Sequence, residues 1–355
     1  MNSRIKNIYL KLEQEGLDGL IVSLPANISY LTEFASRDAY LLVSKPGNFY
    51  FTDSRYTEEA KSHIKNIARI KKVNGSVFKI IAQTLSNLGL KRVGFEERYL
   101  PFAEHKKIEE ELKGSADLIP THSWIEELRQ VKTREEIGKI RKATQITALA
   151  LQFAKKIISP GKKEIEIAAE LERFIRVKGA QGNAFDIIIA AGENSAFPHH
   201  KTSQRKIKNN EPVLVDIGVD YYGYKSDLTR VFFLGKITST FKRTYDTVLK
   251  AQQQAFEAIR PGVSIDKVDR AARQYISQKG FGRFFGHGLG HGIGLEVHEE
   301  PHISSKNTHR LTKAMVFTVE PAIYLPGRFG IRIEDVVLVT QGGIKVLSGN
   351  LDKST

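Results

Sequence analysis

The segment VLVDIGVDYYGYKSDLTRVFFL, Val213 to Leu234, sets two apolar, β-branched runs around a Tyr/Gly-rich centre, the pattern of a β-hairpin. Each run carries one aspartate, Asp216 and Asp227. A carboxylate among residues such as Val213, Leu214, Val215 and Ile217 is costly to bury unless it is paired or binds a metal. The midpoint of the two aspartates falls between Tyr221 and Tyr222, so an antiparallel pairing about that point sets them side by side. Two like charges so placed repel unless a cation lies between them.

The same device recurs near the C-terminus. VFTVEPAIYL carries Glu320, GIRIEDVVLV carries Glu334, and their midpoint is Gly327 in the turn signal Pro326-Gly327-Arg328. A single acid in a strand is commonly a satisfied core polar group. Four acids in two matched hairpins point to a metal site.

An internal repeat supports the pairing. PGKKEIEIAAELERFIRVKG (160–179) matches PGVSIDKVDRAARQYISQKG (261–280), with Pro160, Gly161, Ile167, Phe174 and Gly179 aligned to Pro261, Gly262, Val268, Tyr275 and Gly280. Each copy follows a long helical pattern, 134–159 or about 239–260, and precedes one acidic hairpin. Two similar halves about a pseudo-two-fold axis bring the Asp pair and the Glu pair face to face.

Histidines gather in the same region, seven of the ten lying within 199–309. GHGLGHGIGLEVHEEP holds His287, His291 and His298 among glycines that let the backbone approach a ligand closely. His199 and His200 follow Pro198, upstream of the first hairpin. Carboxylates with an imidazole form a hard ligand set that suits divalent Mn, Co, Fe or Zn. Four negative charges suggest two cations. A pair about 3.5–4 Å apart combines Lewis acidity with activation of water, which points to hydrolysis of an amide or ester.

The 355 residues allow two domains: an α/β domain over 1–125 and a second over 126–355, the boundary falling near Ser123 to Thr133. In the first, Leu20–Leu24, Tyr40–Val43, Asn48–Phe51 and Arg92–Phe95 read as strands, and 4–15 and 76–88 as helices. The fold class is α/β (α+β). The absence of cysteine excludes thiol nucleophiles and thiolate metal ligands. No GxSxG elbow and no GxGxxG loop are present. No apolar run approaches membrane-spanning length, and a cytoplasmic location is the default expectation. The net charge of +14 comes from dispersed lysines without a nucleic-acid-binding motif, so it reads as a solvated surface rather than a nucleic-acid partner.

NSAFPHH, VLVDIG, YKSDLTR, GHGIGLEVHEEP, TVEPAIY and GIRIEDV together resemble the pita-bread metallopeptidases, the family of aminopeptidase P, prolidase and methionine aminopeptidase. NISYLTEF and TDSRYTEEA resemble the N-terminal domain of the proline-specific members and of creatinase. The resemblance implies a creatinase-like N-terminal domain followed by a pita-bread domain. It implies two metal ions, manganese first, held by Asp216, Asp227, His291, Glu320 and Glu334. Glu320 would also orient the nucleophile and His298 would stabilise the oxyanion. His199 and His287 would line the substrate pocket, with Tyr324 and Arg332 holding the carboxylates. The implied substrates are short peptides with proline in second position, cleaved by an Xaa-Pro dipeptidase or aminopeptidase. Similar dipeptidases tend to carry arginine where this chain has His302, which tilts the expectation toward longer peptides. Similar proteins are commonly dimers, though no interface signal stands out. The rival readings are a creatinase-like hydrolase without metal and a non-catalytic binding module.

Overall fold

A computed structural model describes residues 3–349 and 351–353. The chain divides into two compact units, one running to Arg129 and one starting at Gln130, four residues beyond the expected boundary. The helix Trp124–Gln130 is what moves that boundary. Its Glu126 accepts a hydrogen bond from Asn27 Nδ2 at 2.5 Å, and its Arg129 donates to Asn27 Oδ1 at 2.8 Å, so it belongs with the first unit.

The first unit is built on a six-stranded mixed sheet. Its spatial order is Arg69–Lys72, Phe49–Thr52, Ala39–Ser44, Gly19–Val22, Arg92–Glu96 and Asp117–Thr121. The central strands are buried along their length and read as near-continuous apolar runs. All four strands expected from the sequence are present within a residue or two at each end. The two edge strands escaped notice for physical reasons. RIKK is mostly exposed and basic, and DLIPT contains a proline that only an edge tolerates.

The second unit repeats one plan twice. Helices Arg134–Ile157 and Glu164–Val177 precede the three-stranded sheet Ile188–Ala191, Pro212–Ile217 and Leu228–Phe233. Helices Ser239–Ala258 and Ile265–Gln278 precede the matching strands Gly290–Gly292, Val316–Val319 and Asp335–Thr340, part of a five-stranded sheet. The paired Pro-Gly corners make the same bonds. Gly161 N donates to Ile207 O and Gly262 N to Leu311 O, each at 2.8 Å. Ile207 N and Leu311 N return bonds to Lys162 O and Val263 O, again at 2.8 Å. Both glycines have positive φ, +91° and +83°, which explains glycine at each corner.

The two acidic hairpins differ in register. The second keeps the expected pairing: Ala322 faces Arg332 and Val319 faces Asp335, which sets Glu320 opposite Glu334 between them. The first does not. Its turn is Tyr222-Gly223, with φ of +49° and +82°, a two-residue turn one position later than expected. The shift places Asp216 opposite Thr229, and Asp227 opposite Gly218. The two aspartates are therefore diagonal neighbours and not a directly opposed pair.

Gly218 has no room for a side chain. A Cβ there would lie 2.1 Å from Ser226 O and 2.6 Å from the Phe185 ring. Gly218→Ala is expected to lower stability by about 1–3 kcal/mol or more, because the obstruction is backbone. Chemical denaturation of the metal-free protein measures it.

Candidate metal centre

Asp227, His291 and Glu334 converge in the second unit, with one potential ligand atom from each lying within 4.8 Å of the others. His291 comes from the short strand Gly290–Gly292, whose neighbours leave no space for side chains: a Cβ on Gly290 would meet Thr318 O at 2.0 Å. His291 Nδ1 faces its neighbour's carbonyl, Gly292 O, at 3.1 Å. A proton on Nδ1 leaves Nε2 as the lone-pair nitrogen, turned to Glu320 Oε1 at 3.2 Å and Asp227 Oδ2 at 3.7 Å.

Three buried carboxylate oxygens in this cluster, Asp216 Oδ1, Asp227 Oδ1 and Glu334 Oε1, have no hydrogen-bond partner among the described residues. Buried acceptors are almost always satisfied, so three orphans at one point call for a cation. The donor set, four carboxylates and one imidazole nitrogen, fits divalent metal ions.

Asp216, Glu334 and Glu320 are each held through one oxygen. Arg332, buried behind the acids, donates from Nη2 to Asp216 Oδ2 at 2.5 Å, from Nη1 to Tyr324 OH at 2.6 Å, and from Nε to Thr229 Oγ1 at 3.0 Å. Thr229 in turn donates to Glu334 Oε2 at 2.7 Å. Thr318 Oγ1 accepts from His291 N at 3.1 Å and lies 3.2 Å from Glu320 Oε1, to which it donates. Sequence reasoning missed both threonines. Each is two residues from an acid on the same strand path, Thr229 after Asp227 and Thr318 before Glu320. That period of two places them on the acids' side of the strand, a signal that was available.

Electrostatics divides the acids. Burial, and then the charges of Glu334, Asp216 and Glu320, raise the Asp227 carboxyl far above its ordinary range. Burial, with Glu320 and Asp216, does the same to Glu334. Glu320 goes the other way. Burial pushes it up, but the hydrogen bond and charge of His291, with His287 and Arg332, bring it down to about 2. His291 is correspondingly raised: burial opposes its charge, and its bond to Glu320 overcomes that. These directions favour an ion pair of Glu320 with His291 beside two carboxyls whose ionised forms are disfavoured.

The remaining expected residues surround a cavity of about 930 Å³. His287 lies on its wall, with Nδ1 2.7 Å from Gly288 O and Nε2 3.3 Å from Tyr324 OH, and burial lowers its pKa. His298 is exposed, its ring 4.2 Å from that of His291. Its pKa is lowered by partial burial and by the His291 charge. His199 is exposed on the same cavity, as is His302. His200 is turned aside, its Nε2 2.9 Å from the buried carboxylate of Glu164. Glu164 also accepts from Ala191 N, Asn194 and Ser203, and so secures the segment that carries His199.

Residues 138–341 match the model of metallopeptidase family M24, and residues 4–131 match that of the Creatinase/Prolidase N-terminal domain. The Xaa-Pro dipeptidase of Pyrococcus furiosus is 35% identical over 351 residues, covering 98% of each chain. Among solved structures, an Xaa-Pro dipeptidase from Bacillus anthracis superposes with a TM-score of 0.95 at 35% identity, covering 99% of this chain and 98% of its own. The X-Pro aminopeptidase from Thermotoga maritima gives 0.89 at 36% identity, covering 99% of both.

Cation binding to the metal-free protein is expected to release protons, because burial and like charge favour the protonated forms of Asp227 and Glu334 and ligation needs carboxylates. Both folded-state pKa values are raised, so their protons stabilise the metal-free fold at low pH and that contribution is lost as pH rises through the folded values. Calorimetric Mn²⁺ titrations in buffers of different ionisation heat should show proton release growing as pH falls below neutrality. No buffer dependence would contradict the assignment.

Proposed function

The chain belongs to metallopeptidase family M24, carries a Creatinase/Prolidase N-terminal domain, and is a metallo-exopeptidase; on that premise we propose that it hydrolyses the bond between an N-terminal residue and a following proline. The observation that carries this reading is the gathering of Asp227, His291 and Glu334 within ligand distance of one another, in a pocket where Asp216, Asp227 and Glu334 each keep one buried carboxylate oxygen without a partner. The relatives named as Xaa-Pro dipeptidase and X-Pro aminopeptidase support the choice of substrate.

Asp216, Asp227, His291, Glu320 and Glu334 would hold two divalent cations, manganese first, with cobalt, zinc and iron also compatible. When bound, the metals supply Lewis acidity toward the scissile carbonyl and activation of water near neutral pH. The chain's own groups do the rest. Arg332 and Thr229 each engage one oxygen of an acid and leave the other aimed into the site. Glu320 orients the attacking water and takes up its proton. That proton is then available to the departing proline nitrogen, which has no N–H in the X–Pro bond and must be protonated to leave. His298, neutral at working pH, donates to the carbonyl oxygen as negative charge develops there. His287, fixed between Gly288 and Tyr324, and His199 shape the cavity around the substrate.

Substrate length follows from the cavity rim. His302 stands there with an exposed side chain, where an arginine would make a firmer, bidentate partner for a dipeptide carboxylate. We therefore read the enzyme as acting on both dipeptides and longer peptides, with a lean to the aminopeptidase. The cytoplasm is the proposed compartment, since a chain without cysteine gains no disulfide from an oxidising one.

Two experiments test the scheme. Asp227→Asn is expected to lower metal content and to reduce kcat/KM by about 100-fold or more, while the metal-free fold stays at least as stable, because a buried carboxyl whose ionised form is disfavoured is replaced by a neutral amide. His298→Ala should keep its metal and lose kcat. Elemental analysis, thermal melts and steady-state kinetics separate the two. The second experiment compares an Xaa-Pro dipeptide with an Xaa-Pro-Yaa tripeptide before and after chelation. Both activities should vanish with the chelator and return with Mn²⁺ or Co²⁺, and cleavage of the dipeptide alone would overturn the lean.

A further inference from the structure

The hairpin that carries Glu320 and Glu334 changes sheets at those two residues. Val316–Val319 pairs with Asp335–Thr340 in the five-stranded sheet, and Ala322–Leu325 pairs with Phe329–Arg332 in a separate two-stranded one. Pro321 and Ile333 lie opposite each other in the interval. Ile333 N donates to Pro321 O at 3.4 Å, but proline has no N–H to return the bond. The Ile333 carbonyl therefore lacks its ladder partner.

Gln252 supplies one. It lies within the helix Ser239–Ala258 and is fully buried. Its Nε2 donates to Ile333 O and to Val319 O, each at 3.0 Å. Those carbonyls belong to the residues immediately before Glu334 and Glu320. Its Oε1 accepts from Lys353 Nζ at 2.6 Å, and Lys353 also pairs with Asp335 Oδ2 at 2.6 Å. All three partners demand the same orientation of the amide, because carbonyls only accept and an ammonium only donates.

We propose that Gln252 is a positioning residue for the metal centre: it ties the backbone before Glu320 to the backbone before Glu334 and so sets the separation of the two carboxylates that receive the cations. The inference rests on the reading that these acids hold metal. A residue that only filled space at this point would need no paired donors. Gln252 uses both of its amide hydrogens on the two strands that the acids interrupt.

The test is calorimetric titration of Mn²⁺ into chelator-treated full-length protein, with the metal-free melting temperature recorded in parallel. Gln252→Met keeps the length and apolar bulk of the side chain and removes both donors. It is expected to bind Mn²⁺ roughly 10–100-fold more weakly than wild type. Val248→Ala, one turn earlier on the same helix and fully buried, serves as the control for plain destabilisation. It should melt lower and bind Mn²⁺ as wild type does. Wild-type affinity in Gln252→Met overturns the proposal, and so does an equal weakening by Val248→Ala. Should Gln252→Met fail to fold, Lys353→Met is titrated instead. It removes the ammonium that orients the amide and must weaken Mn²⁺ binding, and unchanged affinity overturns the proposal in its turn. A wild-type protein that binds no Mn²⁺ defeats the metal reading and this inference together, whereas wild-type affinity in the variant defeats this inference alone.

Discussion

Mutual repulsion among four buried carboxylates is the constraint to which the second unit is built. Burial and mutual repulsion disfavour ionising all of them together, and the carboxyls of Asp227 and Glu334 are raised far above their ordinary range. What holds them in place is a framework of directional bonds to one oxygen each of Asp216, Glu334 and Glu320. Arg332 takes one oxygen of Asp216, Thr229 takes one of Glu334, and the opposite oxygens are left bare. Once His291 is a neutral ligand and all four acids are ionised, Arg332 is one cation among four acids, and the balancing charge comes from solution.

The pseudo-symmetric halves explain how so unfavourable a group can be assembled at all. Each half contributes two helices and three strands whose Pro-Gly corners make the same bonds in both copies. The apolar cores under the two sheets are continuous runs of Val, Ile, Leu and Ala. Burial of that surface, at roughly 25 cal/mol per Å², offsets the cost of holding the acids together. Stability and charge are thus supplied by different residues of the same strands, core-facing and site-facing in alternation.

The symmetry is imperfect where the chemistry is. The Glu hairpin pairs in the register that its turn predicts, while the Asp hairpin slips by one turn position and sets Asp216 against Thr229. The slip has a local cause, a turn at Tyr222-Gly223 that accepts positive φ at both central residues. It also has a consequence: Thr229 reaches both Arg332 and Glu334 and links the two halves. A further asymmetry comes from Pro321, whose missing N–H leaves the place that Gln252 fills from a helix nearly 70 positions earlier in the chain.

Much of this was legible in the residues alone. Two acid-bearing apolar hairpins, a repeated Pro-Gly-led helix and a glycine-spaced run of histidines point to the fold class and to a site for divalent cations, because burial of charge and strand periodicity are local rules. The register of the first hairpin, the bonds of Thr229, Thr318 and Gln252, and the turning of His200 toward Glu164 were decided only by the tertiary structure. Those depend on which groups distant in sequence meet in space, and a hydrogen bond between residues 100 positions apart leaves no pattern in either segment.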